Sequence, residues 1–278
     1  MKKREIRKIV NGKSAVDGAG VRLVRVLGHE DTEDFDPFLM LDSFDSKNPD
    51  DYIKGFPPHP HRGIETLTYL IDGKIEHEDS LGNKDTINAG ESQWMTAGSG
   101  IIHQEMPLAS ENMLGFQLWI NLPANEKMTE PEYLSITEDR MGFFEDESSV
   151  VRVISGGYKN ASGVQPRHVK ASIFDIILKE GKSIEIETNA LENVFVFLID
   201  GDGIINNKNI ACKSAVLFSE GDTIEISSPE NAQTRFIFFS GKSLKEPIAW
   251  GGPIVMNTKE ELKFAFEELR LGNFIKSH

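Results

Sequence analysis

The chain is cut into short runs of β-forming residues, most of them closed by glycine or an Asp-Gly pair, and this punctuation points to a mostly β fold. Val21-Arg22-Leu23-Val24-Arg25-Val26 alternates as a strand with one wet face does. Glu65 to Ile71 is rich in β formers and ends on the turn pair Asp72-Gly73. Phe116–Ile120, Ser172–Leu178, Val194–Ile199 and Arg235–Phe239 fit the same description. Only the stretch from Thr258 to Leu271 keeps a helical spacing, through Leu262, Ala265, Phe266 and Leu269, with Gly272 where a C-cap belongs. The expected fold is all-β with a short C-terminal helix.

The β pattern repeats. Leu70-Ile71-Asp72-Gly73 returns as Leu198-Ile199-Asp200-Gly201, and Ala89-Gly90-Glu91 returns, at nearly the same offset, as Glu220-Gly221-Asp222. Two tandem β domains follow, spanning 1–136 and 150–278, with the C-terminal tail free to pack back on the first. Between them Glu138, Asp139, Glu145, Asp146 and Glu147 crowd together without apolar periodicity.

The halves differ in one respect that matters chemically. Pro58-His59-Pro60-His61-Arg62-Gly63 and Gly100-Ile101-Ile102-His103-Gln104-Glu105 each carry two metal-ligand types one residue apart. A strand sends residues i and i+2 to the same face, so His59, His61, His103 and Glu105 are positioned to converge on one ion. Carried across the repeat, His59 and His61 fall on Glu187 and Asn189, and His103 and Glu105 on Thr234 and Phe236. That set cannot hold a metal, so the second domain is expected to keep an apolar interior and to serve structure or partner binding.

Charge and cysteine content narrow the function further. A formal charge of −14 disfavours direct contact with nucleic acid and suits a basic or protein partner. Cys212 is the only cysteine, which excludes a disulfide within the chain and a thiolate metal site; it reads as a small buried hydrophobe. The remaining nitrogen and oxygen ligands suit Fe, Mn, Ni, Cu or Zn. No apolar run reaches the roughly 20 residues of a membrane span, and Met1 to Lys8 is basic but leads into no apolar segment. A cytoplasmic protein without membrane contact is expected.

The order His-x-His, turn, Gly-Glu, His-x-Glu resembles the cupin superfamily of β-barrels. The longer stretches Gly55–Thr66 and Gln93–Pro107, with Asp36–Asp42 near the start and Gly252–Thr258 near the end, resemble the pirin family along nearly the whole chain. That resemblance implies a bicupin: two tandem jelly-roll-like β-barrels, with one divalent non-haem metal, iron in particular, in the first barrel only. Its ligand positions fall on His59, His61, His103 and Glu105. It further implies one of two roles. The first is oxygen-dependent cleavage of a flavonol such as quercetin, with Glu105 as metal ligand and catalytic base, and with the flavonol and dioxygen as partners. The second is a non-catalytic, iron-dependent redox sensor that binds a transcription factor or metabolic enzyme. An isomerase of sugars or keto acids would need a basic anion-binding cluster that the sequence lacks. A roomy apolar pocket beside the metal distinguishes the enzyme, since a sensor can work with a sealed site.

Other residues receive plainer readings. His77, between Glu76 and Glu78, reads as part of a surface strand or of a site wall at a pocket mouth, and His29 and His168 belong to exposed loops. Arg62 is expected to pair with a nearby carboxylate such as Glu65, and Gln93, Trp94 and Met95 to fill the core or, as the second reading, to wall a substrate site. Gly98-Ser99-Gly100 makes a tight turn that brings His103 into line.

Overall fold

Short strands, alternating in burial at the edges and buried along their length at the centre, make up most of the computed structural model, which describes residues 1–277 and leaves His278 outside. In its first part the strands are β1 (Ile6–Asn11), β2 (Lys13–Asp17), β3 (Val21–Leu27), β4 (Phe38–Ser46), β5 (Phe56–His61) and β6 (Ile64–Asp72). They continue as β7 (Lys74–Asp79), β8 (Lys84–Ile87), β9 (Ser92–Thr96), β10 (Ile101–Leu108), β11 (Met113–Asn121) and β12 (Glu132–Ile136). A single helical turn, α1 (Thr32–Phe35), interrupts them. Then come β13 (Gly142–Glu145), β14 (Ser149–Ser155), β15 (Gly157–Tyr158), β16 (Ala161–Ser162), β17 (Ser172–Leu178), β18 (Ser183–Glu187) and β19 (Asn193–Asp200). The last are β20 (Gly203–Ile205), β21 (Lys208–Ile210), β22 (Ser214–Phe218), β23 (Thr223–Ser227), β24 (Thr234–Gly241), β25 (Ala249–Gly251) and β26 (Ile254–Met256), followed by α2 (Lys259–Leu271). The six strand runs and the one long helix read from the sequence are all present.

Two cupin domains result, and each combines a seven-stranded with a four-stranded antiparallel sheet. In the first, the orders are β12-β9-β6-β11-β4-β3-β2 and β5-β10-β7-β8. In the second they are β1-β22-β19-β24-β17-β14-β13 and β18-β23-β20-β21. Strand for strand the orders match, with β1 holding in the second unit the place that β12 holds in the first. The units are accordingly interleaved in sequence. Residues 1–13, 31–36 and 138–243 form one, and residues 14–30, 37–137 and 244–278 the other.

The matching orders correct one detail of the repeat. Thr234 and Phe236 lie on β24, the counterpart of β11, so they are not the equivalents of His103 and Glu105. The counterpart of β10 is β23, Thr223-Ile224-Glu225-Ile226-Ser227, whose Ile224 and Ile226 are buried. The slip arises because β-hairpin lengths differ between halves, and a constant offset cannot follow them. The expected apolar interior stands: Ile184, Ile186, Ile224, Ile226, Phe174 and Phe238 belong to one continuous core of the second unit.

In the first unit the tail helix is fixed at both ends. Thr258 accepts from the Glu261 N–H while the Glu261 carboxylate accepts from the Thr258 N–H, and Gly272 closes the helix at φ 76°. Among the described residues no helix is long and apolar enough to cross a membrane.

Candidate metal centre

The pairing of β5 with β10 assembles the site. His103 lies opposite His59, and Ile101 opposite His61, so the three imidazoles project from neighbouring positions on one face of the four-stranded sheet. Their ligand atoms all lie within 4.8 Å of one another, and among the described residues this is the only such group of histidine, cysteine or acidic side chains. His61 and His103 are each 2% exposed, while His59 is half-buried.

Hydrogen bonds orient two of the rings. His59 Nδ1 lies 2.8 Å from Pro57 O and His61 Nδ1 lies 2.9 Å from Pro253 O, so each carries its proton there and donates it to the carbonyl. Both Nε2 atoms are then bare lone pairs, yet they face each other at 3.1 Å. Two lone pairs at that distance repel unless a cation lies between them. His103 adds to the imbalance, because both of its ring nitrogens are buried without a hydrogen-bond partner. Burial and the neighbouring His59 push the His61 imidazole down to about 3, although the Pro253 carbonyl opposes this. Burial and the nearby His61, His59 and His77 rings hold His103 well below its ordinary value. At neutral pH both therefore offer neutral nitrogens, the form that binds metal. The donor set fits a transition-metal ion.

Glu105 occupies the next inward position on β10, where it is buried outside the three-histidine group. Thr68 Oγ1 and Gln93 Nε2 donate to its Oε1 at 3.0 and 2.6 Å, and Gln117 Nε2 donates to Oε2 at 2.6 Å. Oε1 thus uses both lone pairs, and Oε2 keeps one. Gln93, Thr68 and Gln117 form one cross-strand row over β9, β6 and β11. Gln93 therefore belongs to the site, not to passive core packing. Part of the signal was present in the sequence, since Gln117 interrupts the mainly apolar run of β11 at an inward position.

Three further expectations are corrected. His77 is buried, since β7 pairs with β10 and turns His77 and Asp79 to the side of Glu105 and His103; its Nε2 lies 2.9 Å from Asp79 Oδ2, and its ring stacks on Tyr133. His168 is half-buried. Arg62 pairs with Glu268 at 2.7 Å and donates to Phe274 O, while Glu65 accepts from the Thr96 hydroxyl. His29 is exposed as expected but stacks on Trp250 with ring centroids 3.8 Å apart.

Beside His59 and His61 opens a cavity of about 590 Å³. Trp119, Trp250, Phe56 and Met40 give it apolar walls, and Arg25, held by Asp42 and Asp17, gives it one charged end.

Comparisons with known proteins agree with this architecture. Residues 20–120 match the family model described as Pirin, and residues 173–275 the one described as Pirin C-terminal cupin domain. A pirin-like protein of Caulobacter vibrioides is 40% identical over 275 residues, covering 98% of this chain and 99% of that relative. Human pirin is 34% identical over 262 residues, covering 91% of this chain and 88% of its own. A crystal structure of a quercetin 2,3-dioxygenase from Acinetobacter baumannii superposes with a TM-score of 0.89 at 29% identity, covering 98% of both chains.

Proposed function

The chain belongs to the pirin family, and on that premise we propose that its first cupin domain is a mononuclear metal centre catalysing oxygen-dependent opening of a flavonol of the quercetin type. The observation that carries this reading is the open, apolar-walled cavity beside His59 and His61, which a flat aromatic substrate needs and a sealed sensor site does not. His59 and His61 would bind the ion through Nε2, His103 through a ring nitrogen, and Glu105 through the lone pair left on Oε2. A ligand set of three imidazoles and one carboxylate suits iron, the metal proposed here, and also accommodates Mn, Ni, Cu or Zn. The two Nε2 atoms, 3.1 Å apart with their lone pairs facing, are placed to share one cation.

The metal would supply Lewis acidity, lowering the pKa of a bound hydroxyl. The protein supplies the rest. Trp119 and Trp250 orient the rings of the substrate, and the Pro57 and Pro253 carbonyls fix the imidazole tautomers. Glu105 would take the flavonol proton on the one Oε2 position left open by Gln117, giving up its hold on the ion as it does so, and the amides of Gln93 and Gln117 hold the carboxylate in reach.

The test is anaerobic purification with elemental analysis, followed by oxygen uptake on metal-loaded protein with quercetin. One metal per chain and quercetin-dependent uptake are expected. Tight iron loading without uptake would overturn the enzyme reading in favour of a redox-sensing regulator with a protein partner. Glu105→Gln keeps an oxygen ligand but removes the base, so turnover should fall by about 10²-fold or more while metal content falls far less. Full turnover in that variant would remove Glu105 from the proton transfer.

A further inference from the structure

The second unit has lost the histidines but kept an opening in the same topological place. A groove of about 530 Å³ runs beside β18, the edge strand of its four-stranded sheet, and against β17 and β24, the counterparts of β4 and β11. Its floor is aromatic: Phe174 and Phe238 stack with centroids 4.9 Å apart, and Tyr158 lies 5.8 Å from Phe174.

The backbone along this groove is unpaired. Thr188 N–H donates to Asp222 O, and Ser228 N–H donates to Lys182 O, so the even-numbered residues of this segment turn their backbone groups toward β23. The N–H and C=O groups of Glu185 and Glu187 therefore point to the opposite side, along an edge that no strand covers. Their side chains are exposed, and neither has an ion-pair partner among the described residues. The other charges at the groove are already answered. Lys159 lies 4.0 Å over the Phe144 ring and near Asp146, and Glu192 accepts from Ser240 and Asn189.

We propose that this edge docks an extended basic peptide, which adds a strand to β18, sets basic side chains opposite Glu185 and Glu187, and turns the intervening apolar residues onto the Phe174–Phe238 floor. An open edge offers main-chain hydrogen bonds, and alternate side chains supply the specificity. A second copy of this chain is disfavoured, because pairing β18 with itself would bring like charges together across the strands. Acidic edge residues also serve to prevent aggregation, but that role needs no aromatic groove beside the edge. The proposal concerns the second unit alone and does not depend on the metal reading.

The probe is a fluorescein-labelled peptide alternating lysine and valine, titrated into the full chain and followed by anisotropy and by amide hydrogen exchange. Saturable binding is expected, with slowed exchange at the Glu185 and Glu187 amides. The double variant Glu185→Lys, Glu187→Lys changes only exposed side chains and should weaken binding at least tenfold, with an unchanged melting curve as the control on folding. Two peptides N-methylated at alternate amides separate strand pairing from simple charge attraction: one should lose binding and the other retain it. If both bind as the parent does, or if nothing binds at millimolar peptide, the strand-addition proposal is wrong.

Discussion

Lys127 shows how a residue outside the histidine cluster holds the site in shape. Its ammonium is 1% exposed and donates to Gly63 O, Asn121 Oδ1 and Val255 O at 2.9, 2.7 and 3.1 Å, so its three protons meet three acceptors just beyond His61 and Arg62. Lys127→Met should leave those acceptors without a donor and destabilise the protein by about 2–4 kcal/mol, read from denaturant midpoints. Burial pushes the Lys127 ammonium down to about 8, with the charges of Glu246 and Glu261 opposing the shift. The folded state then binds fewer protons than the unfolded state between pH 8 and the ordinary lysine value of 10.5, so stability must rise with pH across that window. Below pH 8 the burial penalty is fully present. Subtracting the pH profile of Lys127→Met from that of the parent should isolate this slope, and a falling difference across the window would contradict the assignment. Nothing in the sequence marked Lys127, because its acceptors are two main-chain carbonyls and an amide reached through the fold. The histidines were legible because their spacing alone puts them on one strand face.

At the scale of elements, the tail braces the strand that carries His59 and His61. Arg62, the residue after His61, is buried against Glu268 of α2 and donates to Phe274 O, and its guanidinium lies 4.2 Å over the Phe274 ring. Gly63 at φ 77° passes so close to β26 that a Cβ there would stand 1.9 Å from Val255 O, and a Cβ on Gly100, before β10, would stand 2.8 Å from Phe274 O. The tail thus touches the ends of both ligand strands. Glu268→Ala would leave Arg62 charged and unpaired in the interior, a loss of about 3 kcal/mol. It would also loosen His61, so metal affinity should fall about 10-fold or more, measured by competitive metal titration. Unchanged affinity in a folded Glu268→Ala protein would reduce the tail to packing alone. Strand periods and the Thr258 and Gly272 caps could be read locally, so the elements were found. The Arg62 partner could not, since the adjacent Glu65 lost to a residue more than two hundred positions away, and such a contact leaves no period in the sequence.

For the whole molecule, one strand order is used twice with opposite interiors, and this confines the histidine cluster to one unit. The echo at Asp72 and Asp200 exposed the duplication, but β1 and the tail helix each complete the unit formed mainly by the other end of the chain, which no internal repeat could reveal. The second unit buries isoleucine, valine and phenylalanine where the first buries His61, His103, Glu105, Gln93 and Gln117. A polar interior is stable only when its lone pairs and protons are matched, and the facing Nε2 atoms and the unpartnered His103 ring leave the first unit unmatched until a cation binds. An ion that binds only the folded state stabilises it by about 2.7 kcal/mol at a hundredfold excess over its dissociation constant. That stabilisation should be local. Hydrogen exchange on metal-depleted and metal-loaded protein should show slowed amides in β5, β6, β10 and β11 on loading, by roughly the hundredfold that 2.7 kcal/mol represents. The amides of β17, β19 and β24 should be unchanged, since their apolar core offers no donor atoms to a metal ion. Equal protection in both units would mean that they open together. Protection confined to the second would place the ion away from His59, His61 and His103.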